Sequence, residues 1–164
     1  MVKIEESKQQ KMVKTVTKTI FDVMLKSRAV LENSGYTPGV SEFPESESVK
    51  DALSLIIENT ALIAEIVLRL PDVTEQVLRS NTDWSSILPW SLTFCKESRL
   101  LDSSTSKLFN LVSQELNFTQ RGPDYTNPYR KIKQQPKANA GIEPVKKKKT
   151  PLPRGPRLTL RQDL

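Results

Sequence analysis

The sequence predicts an all-α fold, an irregular helical bundle followed by a long disordered basic C-terminal tail. Three observations predict it. Apolar residues recur at steps of three and four through residues 1–120, and no stretch alternates with period two over a strand length. Charge divides unevenly: residues 1–120 carry 13 Lys+Arg and 16 Asp+Glu, whereas residues 121–164 carry 12 and three. Seven of the 11 prolines lie beyond residue 120, and after Tyr129 the apolar residues are isolated. Such a segment cannot bury enough apolar surface to offset its ordering entropy. The expected division is a helical domain over 1–120 and a disordered Pro/Lys-rich tail over 121–164.

The first helix is expected over residues 6–33. Val13, Val16, Ile20, Val23 and Val30 form its apolar stripe, Ser27 fills the missing step, and Met24 and Leu31 widen it. Gly35 is the expected stop. The repeat spans under three clean heptads, so packing on its own neighbours is favoured over a dimeric coiled coil. Residues 36–47, rich in Pro, Gly and Ser, read as a loop.

Ser48, Val49, Lys50 and Asp51 fit a capping box that opens a second helix. One stripe of that helix is Val49, Leu53, Ile56, Ile63, Val67 and Leu70; a second is Ala52, Leu55, Leu62 and Ile66. Asp51, Ser54, Glu58, Glu65 and Arg69 make the polar strip. A helix apolar over most of its circumference is central, so this one is the expected hub. Asn59 and Thr60 interrupt it and are expected to bond a neighbouring helix or backbone.

Pro71 ends that helix, because it has no amide donor and restricts Leu70. A short helix carries Val73, Val77 and Leu78. Asp83 is the expected cap of the next, with Trp84, Ile87, Leu88, Leu92 and Cys95 on one face and a kink or late start at Pro89. Asp102 or Ser103 opens a last helix with Leu108, Leu111, Val112 and Leu116.

Composition narrows the chemistry. There is no His and one Cys. An intrachain disulfide, a Cys/His zinc site, and Ser-His-Asp or Cys-His catalysis are therefore excluded. No run reaches the ~20 apolar residues of a membrane span. Cys95, on an apolar face without a base, reads as a buried inert thiol. Glu58 and Glu65 read as a solvated face rather than paired carboxylates. No catalytic residue, cofactor, metal, small-molecule substrate, nucleic-acid contact or membrane insertion is expected; the chain reads as a non-enzyme. Trp84 and Trp90 are candidate partner anchors, although core burial is the usual fate of tryptophan; they and the loop 36–47 are where binding is sought first.

Asn117-Phe118-Thr119 is a candidate N-glycosylation sequon, meaningful in the secretory pathway. Lys146, Lys147, Lys148 and Lys149 form a candidate nuclear-import patch or a solvated linker. Pro153-Arg154-Gly155-Pro156 meets the PxxP pattern, but Arg157 is misplaced for an SH3 ligand. The last four residues, Arg161, Gln162, Asp163 and Leu164, are a variant of the Lys-Asp-Glu-Leu retrieval signal of the endoplasmic reticulum. Met1-Val2-Lys3-Ile4-Glu5-Glu6 is not a signal peptide. Either the tail match is accidental or the natural N-terminus is missing.

The chain also resembles the coiled-coil domain-containing protein 134 family, from about residue 21 to residue 130 and again at the C-terminus. Carrying the resemblance are Asp22-Val23-Met24-Leu25-Lys26, Lys50-Asp51-Ala52, Glu58-Asn59-Thr60-Ala61 and Val67-Leu68-Arg69 with Pro71. They are followed by Asn81 with Trp84, Trp90, Phe94-Cys95, Gln114-Glu115-Leu116, Asn127-Pro128-Tyr129 and Gly155-Pro156-Arg157. The resemblance implies a small helical protein of the endoplasmic reticulum lumen, or secreted, with a leader and a retrieval-like end. It implies protection of the chaperone endoplasmin from excess glycosylation and degradation, with endoplasmin and the retrieval receptor as partners. It also implies restraint of mitogen-activated kinase signalling and, as the alternative, a nuclear adaptor role. Two departures follow. The leader and the start of the first helical region are missing, and Lys96-Glu97-Ser98 lacks a sequon that relatives can carry there, while Asn117 supplies one elsewhere.

Overall fold

The computed structural model describes residues 2–130. The tail expectations for 131–164, including the lysine run and the terminal tetrapeptide, lie outside the described residues. Five helices follow in order: α1 (Val2–Asn33), α2 (Glu47–Arg69), α3 (Pro71–Arg79), α4 (Thr82–Ser98) and α5 (Ser103–Glu115). Among the described residues there is no strand. The fold is all-α, and α2 touches each of the other four helices. Its buried residues run from Val49 through Ile56, Thr60 and Ile63 to Leu68, which makes it the hub that its apolar circumference requires.

α1 differs in start and phase. It begins at Val2 rather than near residue 6. Its buried residues are Val13, Thr17, Ile20, Phe21, Met24, Ser27 and Leu31, whereas Val16 and Val30 are 37% and 38% exposed. The stripe that faces the core is centred on Met24, and the valines at 16, 23 and 30 flank it. Small Thr17 and Ser27 sit inward where the bulk of the neighbouring helices leaves little room. The helix stops in a Schellman turn: Gly35, at φ +73°, donates to the Glu32 carbonyl, and the Tyr36 amide donates to Leu31.

Two caps fall elsewhere than expected. Ser46, not Ser48, precedes α2; Ser48 lies in the first turn with its Oγ 2.9 Å from the Ser46 Oγ, and no capping box forms at Asp51. Asn81, not Asp83, caps α4, its Oδ1 accepting from the Asp83 and Trp84 amides. Asp102 caps α5 by accepting from Thr105. Pro89 neither delays nor interrupts α4, which runs unbroken from Thr82. On α5 the deepest apolar residues are Phe109 and Val112, with Leu108, Leu111 and Leu116 half-buried around them.

The largest difference lies after α5. Residues 121–130, expected in the tail, fold back over the ends of α2 and α5. Asn127, 2% exposed, donates from Nδ2 to the Leu68 carbonyl at 2.9 Å and accepts at Oδ1 from the Tyr129 amide. Arg121 donates to the Gln114 and Glu115 carbonyls, both at 2.9 Å. These contacts satisfy carbonyls that a helix C-terminus leaves open, and a cation there is favoured by the helix dipole.

Candidate functional site

Two helix ends and one loop build a groove around Trp90. α1 supplies Leu31 and Glu32, the loop supplies Tyr36 and Pro38, and α4 supplies Trp90 and Phe94. The cavity holds about 230 Å³, room for one large apolar side chain. Trp90 is half-buried and held on two sides. The Arg28 guanidinium lies 4.5 Å from its ring centroid, and Phe94 packs at 5.1 Å. Tyr36 in turn packs on Phe94 at 6.1 Å, and burial pushes its hydroxyl above the ordinary tyrosine range. Arg28 is itself fixed by an ion pair with Glu32 at 2.6 Å. The ring is therefore packed between a cation and an aromatic neighbour at the wall of the groove.

The loop wall is positioned by one glycine. Gly39 has φ +74°, and a Cβ there would sit 2.6 Å from the Glu97 carbonyl. The loop backbone is thus pressed onto the last turn of α4, and Pro38 is carried to the groove with it. Beyond that contact the loop exposes Val40 and Phe43, at 81% and 64%.

Trp84 has the opposite fate. It is 7% exposed and packs on Phe21 with centroids 5.8 Å apart, so it is a core residue and not a partner anchor. Glu58 is exposed, and Glu65 is paired with Arg69 at 3.2 Å. Asn59 and Thr60 donate to the Leu55 and Ile56 carbonyls of their own helix. Cys95 is fully buried, with Sγ 3.8 Å from the Thr60 hydroxyl; burial, only partly opposed by that contact, pushes its thiol up to about 12. A thiol held protonated in this way is no nucleophile. Among the described residues no cluster of three metal-ligating side chains occurs, and no described helix is long and apolar enough to cross a membrane.

Asn117 stands exposed just past α5, in the left-handed region at φ +57°. Beside it lies an ionic clasp that composition concealed. The Glu115 side chain, 3% exposed, accepts from the Tyr125 hydroxyl and pairs with Arg130 at 2.8 Å; Arg130 also reaches Asp72 at 3.1 Å. Burial would raise the Glu115 carboxyl, but the Tyr125 and Arg130 bonds outweigh it and hold it below its ordinary value. Burial, reinforced by the Glu115 carboxylate, pushes Tyr125 above the ordinary tyrosine range. The sequence signal for the clasp was the cluster Asn127-Pro128-Tyr129-Arg130, an Asx turn followed by a charge.

No solved structure matches the chain. Among curated proteins it is 35% identical over 125 residues to coiled-coil domain-containing protein 134 of Xenopus tropicalis, covering 76% of this chain and 54% of that protein. It is 32% identical over 123 residues to the Mus musculus protein of the same name, covering 74% and 53%. The chain thus spans about half the length of the curated relatives it matches. A family model described as "ERK and JNK pathways, inhibitor" matches residues 1–159. With nearly the whole sequence inside that model, the chain belongs to the ERK and JNK pathways inhibitor family, alongside its coiled-coil domain-containing protein 134 relatives.

Proposed function

We propose that the chain is a non-enzymatic adaptor of the secretory pathway, acting in the endoplasmic reticulum lumen or after secretion, and that it supports endoplasmin by direct contact. The observation that carries the adaptor reading is the Trp90 groove. It is concave and mainly apolar, and of the two carboxylates in its lining, Glu32 and Glu97, the first is paired with Arg28. The compartment is supported by the pattern Arg161-Gln162-Asp163-Leu164, which a retrieval receptor reads when it stands free at a C-terminus, and by the exposed Asn117 sequon. Endoplasmin as client rests on the resemblance to the coiled-coil domain-containing protein 134 family.

The test is to express the chain behind a family-type leader, with and without Gln162, Asp163 and Leu164. The intact form should stay in cells and co-purify with endoplasmin, while the shortened form escapes to the medium. Trp90→Ala should lose endoplasmin yet remain in cells. Equal secretion of both forms would defeat retrieval by the C-terminal tetrapeptide, and undiminished capture by Trp90→Ala would defeat the groove.

A second reading is favoured by the family description: the chain restrains ERK and JNK signalling. It is tested in the same cells by phosphorylation of both kinases. Suppression that requires the leader joins the two readings. Suppression by a leaderless chain that accumulates in the nucleus favours the lysine run 146–149 as an import patch and the alternative of a nuclear adaptor.

A further inference from the structure

Among the described residues, the face of the α1–α2 hairpin opposite α4 carries an apolar stripe that stays exposed. Three contacts of α1 with α3 and α4 lie on one of its flanks: Gln10 bonds Gln76 at 3.4 Å, Phe21 packs on Trp84, and Arg28 covers Trp90. Val16, Val23 and Val30, seven apart, share the other flank. On α2 the same seven-residue spacing joins Leu55 to Leu62, with Ile66 beside them. The two helices run antiparallel with α4 on the far side, so both stripes open on one side of the hairpin. Val16, Val30, Leu55 and Leu62 are 37%, 38%, 39% and 50% exposed, and Met12 on the same flank is 60% exposed.

We propose that this face is a self-association surface. Two copies pair about a two-fold axis parallel to the helices, α1 of one copy lying antiparallel on α2 of the other. Charge selects the occupant and the arrangement. α1 carries seven Lys+Arg against four acids, and α2 carries four acids against two bases. At the outer edges of the face, Lys8 and Lys26 on α1 and Asp51 and Glu58 on α2 are exposed and make no ion pair among the described residues. The proposed axis lays the basic edge on the acidic one and brings Lys26 level with Asp51 and Glu58. A two-fold axis across the helices would instead set α1 on α1 and α2 on α2, like charge on like.

Size sets the strength. From Met12 to Val30 the stripe is about 27 Å long at 1.5 Å per residue, and two adjacent helices are about 20 Å wide. That is roughly 500 Å² per copy and about 1,000 Å² in all, at the lower bound of a specific interface. The dimer is therefore reversible, in the micromolar range.

Sedimentation velocity and light scattering on the full chain, from about 5 to about 300 µM, test it. Mass should double with concentration. Leu62→Glu should keep the helical circular dichroism and remain monomeric. Lys26→Glu should weaken association about tenfold, and Lys26→Glu combined with Glu58→Lys should restore it. A monomer throughout the range, or a Leu62→Glu chain that still dimerises, overturns the surface. Failure of the double charge reversal to restore what Lys26→Glu removes overturns the arrangement, and because these positions are exposed that arm does not depend on core stability.

Discussion

Replacing Arg130 with Ala isolates the charge on Glu115. The Glu115 side chain is 3% exposed and keeps only the Tyr125 hydroxyl once the guanidinium is gone. Removing one member of a buried ion pair costs about 3–5 kcal/mol. The Arg130 side chain is 40% exposed, so solvent already screens the pair, and the Tyr125 bond survives. The expected loss is therefore about 2 kcal/mol, a fall in Tm of about 6–10 °C for a domain of this size. The pH dependence follows from the lowered Glu115 pKa. A folded pKa below the unfolded value, here 4.5, contributes stability above that value and loses it as pH falls through the folded one. Arg130→Ala removes part of that contribution, so wild type and variant converge as the carboxyl is protonated. Urea unfolding at pH 7 and at about pH 3.5 measures both quantities. A loss under about 0.5 kcal/mol at pH 7, or a gap that does not narrow in acid, would refute the account of the clasp.

Thr17→Val should stabilise by about 1 kcal/mol in urea unfolding, because the buried Thr17 Oγ1 has no hydrogen-bond partner among the described residues and valine keeps the shape. Asn81→Ala should cost about 1 kcal/mol by removing the acceptor for two α4 amides. Gly39→Ala should cost more than Gly35→Ala, since both have positive φ but only Gly39 would press a Cβ onto the Glu97 carbonyl; Trp90 fluorescence should shift only for Gly39→Ala. Native Cys95 should react with a thiol reagent no faster than the chain unfolds, and Cys95→Ala should cost on the order of 1 kcal/mol.

What could be read from the sequence was the part of the fold carried by apolar bulk. α2 shows as the hub because its buried arc from Val49 to Leu68 is dense with aliphatic residues at the helical period. The α1 stripe read from the sequence is shifted toward Val16 and Val30 because hydrophobicity weights them above Thr17, whereas Ser27, Met24 and Leu31 fall on the buried side as expected. Packing volume, rather than polarity, decides which of these turn inward, and Thr17 is buried at the cost of an unbonded hydroxyl. The caps show the same limit. Ser46 and Ser48, or Asn81 and Asp83, are chemically suited alike, and the choice is made by where the preceding turn ends.

The groove was half legible. Two tryptophans on α4 are alike in type, but their phases differ. Trp84 keeps step with Leu88, Ser91 and Cys95, and all four are buried. Trp90 stands six residues on, about 240° round the helix at 100° per residue, and so leaves the core for the rim. Arg28 over its ring and Tyr36 across the groove come from 62 and 54 residues upstream, a separation that periodicity within one helix cannot report. The clasp was less legible still. Arg121 and Arg130 read as tail because polar contacts leave no apolar repeat. Yet in the fold both cations are engaged, Arg121 by the last α5 carbonyls and Arg130 by Glu115 and Asp72. Composition assigns charge to segments, whereas structure assigns it to partners. A basic residue that closes a helix end contributes to stability and is withdrawn from any electrostatic attraction the chain exerts on others.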